Sequence, residues 1–299
     1  MPTATYSKAS LPTAALVFAA TMWGLTWVPL KFIHGLGVDG AVLTLIAFGA
    51  ASLLVLPSML RQSRLWRGHI TAITVMFLFG GFANLAFTVA LIYGEIIRVM
   101  ILFYLAPVWG VLGGGIFLGE HIDGKRWAGL LLAVVGAFVV LGGPGVFDAP
   151  PSLYDLLAVA AGFAFAMNNV ACRAVQNVPV ASKLGAMFLG GTVLAALFLG
   201  FTGASWPTVS MGGWVWSVLY GLIWIMIATL ATQWAVTHME AGRAAIILIL
   251  ELVVAVASGA LLAGEVLTLP ELAGGSLILM ATVLEARRRV VPEVSHAVG

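Results

Sequence analysis

Ten apolar runs, each close to twenty residues long, follow one another along this chain with only short polar links between them. They fall at 12–33, 41–60, 70–91, 97–118, 127–143, 154–174, 183–203, 212–235, 243–263 and 271–286. An α-helix needs about 20 apolar residues to cross a bilayer. The pattern therefore predicts an all-α, polytopic membrane protein with ten transmembrane helices. Composition agrees: charged residues are 9% and hydrophobic residues 62% of the chain, whereas an average soluble protein carries about 25% charge. A water-soluble fold cannot bury that much apolar surface. None of the links holds a soluble domain, so residues 1–299 are expected to form a single transmembrane domain. The first run, Leu11 to Ile33, is too long for a signal-peptide core and is expected to be a span. Cys172 is the only cysteine, which excludes an intrachain disulfide.

Placement of the basic residues predicts orientation. With the N-terminus inside, Lys8, Arg61, Arg64, Arg67, Lys125, Arg126, Arg173, Lys183, Arg243, Arg287, Arg288 and Arg289 fall on the cytoplasmic side. Only Lys31 and Arg98 fall outside. That bias follows the positive-inside rule and predicts a multi-pass protein of the inner membrane with both termini cytoplasmic. The link "GGPGVFDAPPSLYD", with two Asp and no basic residue, suits an outer loop. The basic residues form no continuous stripe, so nucleic acid is not an expected partner.

The segment "RVMILFYLAPVWGVLGGGIFLGE" at Arg98–Glu120 returns as "RAAIILILELVVAVASGALLAGE" at Arg243–Glu265, 145 residues on. Over residues 90–132 this offset matches Ala90, Glu95, Arg98, Ile101, Val108, Val111, Gly114, Gly119, Glu120, Ala128, Gly129 and Leu132. Composition alone accounts for about four such matches. The reading is two five-helix repeats, 1–145 and 146–290. Because five is odd, the second repeat must enter the membrane from the opposite side. Inverted repeats are a design of secondary transporters, with the substrate near the midplane between the halves. Positions at which the halves differ are then candidates for contact with an asymmetric substrate.

Polar and aromatic residues inside the runs give the candidate site. Asn84 and Thr88 lie four apart, on one helix face, and Thr229 and Gln233 occupy the equivalent positions. Polar groups facing lipid go unsatisfied, so both faces are expected to point inward, either to a substrate or to neighbouring helices. Asn168 stands opposite Trp23 under the offset, an amide exchanged for an indole. Asn168 and its neighbour Asn169 are about 100° apart on a helix, so only one can face the axis. Trp23, Trp27, Phe165, Trp224, Trp234 and Tyr104 lie deep. Trp66, Trp127, Trp206, Trp214 and Trp216 lie at run ends, where aromatic belts are routine. Glu251 is the only carboxylate well inside a run, and intramembrane acids often relay protons. Arg98 and Arg243 are expected at the interface or paired with a nearby acid such as Glu95 or Glu240. Gly110, Gly113, Gly114 and Gly115 suggest close packing of the fourth span on the ninth, near Ala255, Ser258 and Gly259.

The ten spans in two halves, "MWGLTWVPLK" in the first, and the segments "LAPVWGVLGGGIFLGE" and "LELVVAVASGALLAGE" resemble the EamA-type branch of the drug/metabolite transporter superfamily. "FYLAP" at Phe103–Pro107 is similar to the YddG-like amino-acid exporters. The resemblance covers nearly the whole chain. It implies export of small metabolites from the cytoplasm by alternating access, and it marks Tyr104 and Glu251 as matches to family positions. Where the family usually has Glu-Pro in span nine, this chain has Glu251-Leu252. That departure removes a hinge from span nine, while Pro107 keeps one in span four.

The expected function is export of amino acids, aromatic ones included. The alternatives are a cationic aromatic drug exporter, a carrier of another neutral metabolite such as a vitamin, and a transporter of phosphorylated metabolites. The last needs basic residues at mid-depth, and there are none. Catalysis is not expected: His34, His69, His121, His238 and His296 all fall at run ends or outside, and no HExxH or GxSxG is present. No cofactor or metal is called for. The expected substrate-binding residues are Trp23, Asn84, Thr88, Tyr104, Phe165, Asn168, Gln233 and Trp234, with Glu251 and Pro107 in coupling or gating. The protein is expected to work as a monomer in the lipid bilayer.

Overall fold

Each apolar run is helical, and what interrupts a run is a proline or a wide turn. The computed structural model describes residues 10–144, 151–203, 208–239 and 241–286. Lys8, Trp206, Glu240, Arg287, Arg288, Arg289, His296 and most of the 144–153 link lie outside them, as does the Arg243 side chain. In chain order the helices are α1 (Ser10–Gly24), α2 (Trp27–Gly35), α3 (Gly40–Arg61), the short α4 (Ser63–Trp66), α5 (Ile70–Val75), α6 (Gly81–Tyr93), α7 (Ile96–Phe103), α8 (Ala106–Leu118), α9 (Gly124–Val140), α10 (Leu153–Ala174), α11 (Val180–Thr202), α12 (Met211–Leu219), α13 (Met226–Thr237), α14 (Ala241–Leu262) and α15 (Leu269–Ala286). The described residues contain no strand. Among the described residues, seven helical segments are long and apolar enough to cross a membrane; shorter apolar helices lie at Ile247–Leu262 and Leu269–Leu284.

Two prolines explain two breaks. Pro29 has no N–H to return to the Leu25 carbonyl, and α1 hands over to α2 at Leu25–Thr26, where the Val28 N–H donates to Leu25 O at 2.9 Å. Pro107 has none for Phe103, and α7 gives way to α8 at Tyr104–Leu105, with the Val108 N–H on Leu105 O at 2.9 Å. With Leu252 at the corresponding place, α14 runs unbroken.

Two further interruptions match each other. Met76–Gly80 joins α5 to α6 as a π-helical turn, and Tyr220–Ile225 does the same between α12 and α13. Residues 76–80 become 221–225 on adding 145. Helix packing shows the same exchange. The α3–α11 and α9–α15 pairs map onto themselves. The α1–α14 contact has its counterpart in α10 against α7 and α8, and α1–α13 has its counterpart in α10–α6. Where α9 crosses α15, Gly136 faces the Gly274 carbonyl and Gly129 faces that of Ala281, two contacts that the offset interchanges. Close approach needs small residues. The glycines of α8 serve it elsewhere than expected: Gly113 meets Met167 and Val170 of α10, and the space at Gly114 is filled by the Glu120 carboxylate. Span nine meets span four instead through Gly259, which lies against Ile96 and Ile97 of α7.

The repeated Gly-Glu is a helix stop. Gly119 and Gly264 take left-handed φ values of 70° and 72°. The following N–H groups reach back six residues, Glu120 to Gly114 O at 3.1 Å and Glu265 to Gly259 O at 3.2 Å, so a left-handed glycine ends each helix and a last-turn carbonyl is satisfied. The Glu265 carboxylate then accepts from the Ile96 and Ile97 N–H groups at 2.8 and 2.9 Å. It thereby caps α7 from the far end of α14, with Lys31 at 4.0 Å. Glu120 instead pairs with Arg173 and, at 3.5 Å, with Arg126. Arg98 finds its acid across the helix interface rather than at Glu95: its Nε donates to Asp155 at 2.7 Å. Asp155 is held there by a capping box with Ser152.

The wide turns sit at backbone contact with the neighbouring half. A methyl group at Gly190 would fall on the Phe77 carbonyl, and one at Gly221 on that of Ala47, whereas Gly110 faces open space. Gly190→Ala and Gly221→Ala are expected to cost about 1–3 kcal/mol each, read as an earlier thermal unfolding midpoint in detergent. Gly110→Ala should unfold with the parent.

Candidate functional site

The backbone geometry of the two breaks determines which side chains meet. Gly24, just before the α1–α2 break, lies against the Glu251 carbonyl and Val254 of α14. The absence of a side chain there lets α1 approach α14 and carries Trp23 in beside it. The Trp23 indole N–H donates to Thr232 Oγ1 on α13 at 3.1 Å. One turn on, Trp27 donates to Ser258 of α14 at 2.9 Å, and Thr26 meets the Tyr220 hydroxyl at 3.0 Å. The first span is thus tied to the eighth and ninth by three side-chain hydrogen bonds.

At the other break, Tyr104 is turned away from the helix it would have continued. Its hydroxyl donates to Leu248 O of α14 at 2.8 Å and lies beside the Glu251 carboxyl. Phe103, one residue earlier, packs on Phe87 of α6 with ring centroids 4.4 Å apart and on Phe165 of α10 at 5.5 Å. Gly162 lets α10 reach the Phe103 carbonyl. A continuous path of contacts therefore runs from Thr232 through Trp23 and Gly24 to Glu251, then through Tyr104 and Phe103 to Phe165 and Phe87. It touches spans eight, one, nine, four, six and three in turn. Of the residues singled out from sequence, this path brings together Trp23, Tyr104, Phe165 and Glu251, with Pro107 at the break that positions Tyr104.

The remaining candidates flank the path. Asn168 is 4% exposed while Asn169 is exposed, so one asparagine of the pair faces inward. Its carboxamide oxygen lies against Gly80 of the first wide turn, and its Nδ2 donates to Asn169 at 3.3 Å. Asn84 faces Gly191 beside Phe48, toward α3 and α11. Thr88 is buried one turn further along α6. Gln233 is half-buried on α13 next to Thr232. Trp234 is 41% exposed, with its ring 4.7 Å from that of His238, which puts it at the edge of the group rather than inside it.

Five buried side-chain atoms have no hydrogen-bond partner among the described residues: Asn84 Nδ2, Trp109 Nε1, Asn168 Oδ1, Trp224 Nε1 and Thr229 Oγ1. Leaving such a group unpaired costs about 1–3 kcal/mol; the five are distributed over α6, α8, α10, the second wide turn and α13. Three belong to positions expected from sequence, counting Thr229 as the mate of Asn84. Trp109 and Trp224 add two donors. Trp224 sits in the second wide turn at the position equivalent to Phe79, a purely apolar ring; that exchange of a ring without a donor for one with a donor was the available signal. Thr232, which holds Trp23, had no signal of its own. His, Cys, Asp and Glu form no cluster able to hold a metal among the described residues.

The sequence profile of the EamA-like transporter family matches residues 12–142 and again 152–286. Two proteins of Archaeoglobus fulgidus, each named an uncharacterized transporter, are similar along nearly their full lengths. One is 24% identical over 277 residues, covering 92% of this chain and 96% of its own. The other is 23% identical over 288 residues, covering 92% and 98%. A protein crystal structure superposes with a TM-score of 0.60 at 19% identity, covering 93% of this chain and 96% of that one, which shows a shared fold. With the family profile matching two segments that together take in almost every helix, the chain belongs to the EamA-like transporter family.

Proposed function

We propose that this protein exports neutral amino acids, aromatic ones included, across the inner membrane by alternating access between two inverted five-helix repeats, with ten crossings and both termini in the cytoplasm. The unpartnered atoms carry the reading. Asn84 Nδ2, Trp224 Nε1 and Trp109 Nε1 are donors, Thr229 Oγ1 serves either way, and Asn168 Oδ1 is an acceptor. A donor-rich set with one acceptor and no fixed charge suits a carboxylate and an ammonium on the same molecule. The aromatic path from Phe87 through Phe103 to Phe165 suits an apolar or aromatic side chain. The matched wide turns and the interchange of packing partners support the repeats. Transport is read as efflux of radiolabelled phenylalanine, leucine and glutamate from proteoliposomes. Phenylalanine and leucine should leave faster than from protein-free vesicles, and glutamate should not. Equal rates for all three with and without protein would remove the amino-acid reading.

One observation favours a second substrate class. Glu251 and Tyr104 close the aromatic path, and a carboxylate beside an aromatic ring suits a cationic aromatic compound. A quaternary aromatic dye offered in the same vesicles decides between them: inhibition of phenylalanine efflux without movement of the dye leaves the amino-acid reading in place.

Thr229→Val separates binding from packing. Valine keeps the shape and removes the unpartnered hydroxyl, so the substrate-free protein should unfold at the same temperature or higher, by up to about 1–3 kcal/mol, while efflux falls. Normal efflux would take Thr229 out of the site.

Glu251→Gln tests coupling. Glutamine keeps a hydrogen-bonding group beside Tyr104 but cannot carry a proton across. If Glu251 couples transport to protons, the variant should lose acceleration by a pH gradient and keep slow downhill exchange. A variant that still responds to the gradient restricts Glu251 to holding Tyr104 in place.

A further inference from the structure

A cavity of about 370 Å³ opens between α8, α9 and α15, apart from the unpartnered polar atoms. Its walls are apolar, formed by Val108, Val111, Leu130, Ala133 and Ala281, and its inner end is the Tyr104 ring with Pro107. Lys125 and Arg126, on the first turn of α9, line its other end, beside the exposed Leu284 near the end of α15. Trp127, more than half exposed, follows at once, in keeping with an aromatic residue at the membrane interface. The size lies within the range of about 300–1,000 Å³ for ligand sites. The lining offers no buried polar group to orient a small polar solute: the Tyr104 hydroxyl is committed to Leu248 O. What it presents is a greasy slot whose entrance carries two cations.

We infer that this cavity binds an anionic phospholipid, one acyl chain lying between α8, α9 and α15 and the phosphate meeting Lys125 and Arg126. Charge complementarity selects the occupant. Basic pockets between transmembrane helices recognise anionic headgroups, and each Lys or Arg near the surface contributes about 1 kcal/mol. Arg126 is steadied for this role by Glu120 at 3.5 Å and the His121 carbonyl at 3.2 Å. Its own backbone N–H is held by Asp123, the N-cap of α9, at 2.9 Å. In sequence, Arg287, Arg288 and Arg289 follow directly on α15 and raise the positive charge of the chain at that end. A chain in the slot packs on Pro107 and the Tyr104 ring, the elements of the α7–α8 break. Binding is independent of the proposed orientation, of the direction of transport and of the substrate.

The test uses the full-length protein, delipidated in detergent, with dioleoyl phosphatidylglycerol and dioleoyl phosphatidylcholine added separately and in competition. Native mass spectrometry counts retained lipid, and thermal unfolding reports its effect. One phosphatidylglycerol should be retained in preference to phosphatidylcholine and should raise the unfolding midpoint. Lys125→Glu should lower that preference at least about fivefold. Gly129→Phe should abolish retention of either lipid, because Gly129 lines the slot and a ring there occupies it. Ala128→Leu, from an exposed position on the same wall, gives the same readout should the larger ring disturb folding. Equal retention of both lipids by the parent overturns the inference, as does parent-like phosphatidylglycerol binding by a folded Gly129→Phe or Ala128→Leu protein. Because no step involves transport, failure here leaves the export reading standing, and failure of export leaves this site standing.

Discussion

A helix that begins at the edge of a bilayer exposes four backbone N–H groups with no partner in their own helix, and lipid offers none. In this protein the start of α7 is satisfied by a carboxylate from the other half of the chain, Glu265, delivered by a glycine stop at the end of α14. The rest of the interior follows from that junction. It places α7 against Gly259, brings Arg98 to Asp155, and leaves the break at Tyr104–Leu105 facing α14. Lys31 nearby keeps the carboxylate from standing alone among apolar neighbours.

Much of this was legible in the sequence because membrane helices obey few rules. Run length announces helices, and the 145-residue offset makes α11 the equivalent of α3 and α15 that of α9, while their contact is seen only in the packing. That only one of Asn168 and Asn169 turns inward follows from helical geometry; that it is Asn168 is seen in the structure. Pro107 and the absence of proline at Leu252 predicted one broken and one continuous helix, and the structure has both. The α1–α2 break has the same cause in Pro29, but a proline within a long apolar run says little until its i−4 carbonyl is seen.

What sequence could not supply were contacts decided by distance in three dimensions. Asp155 lies 57 positions from Arg98, farther along the chain than Glu95, and only helix packing makes it the partner. The glycines of α8 read as a seam for span nine, yet Gly113 receives Met167 and Gly114 receives the carboxylate of the helix's own stop. Periodicity says that a face is small; it does not say which neighbour comes to it. Nor does composition distinguish an indole N–H that is spent, as in Trp23 and Trp27, from one left open, as in Trp109 and Trp224.

The paired π turns act on helical phase. A π turn holds one residue more than an α turn, and one residue is about 100° of rotation. Everything after Gly80 and Ile225 is therefore rotated relative to the helix that precedes it. Asn84 and Thr229, four residues beyond their respective turns, owe their inward direction to that rotation. Removing one residue from either turn would keep the helix, its length in the membrane and its hydropathy, and would swing its polar face onto a neighbour or into lipid. The two wide turns thus serve as angular settings, separating the part of each helix that builds the scaffold from the part that faces the interior.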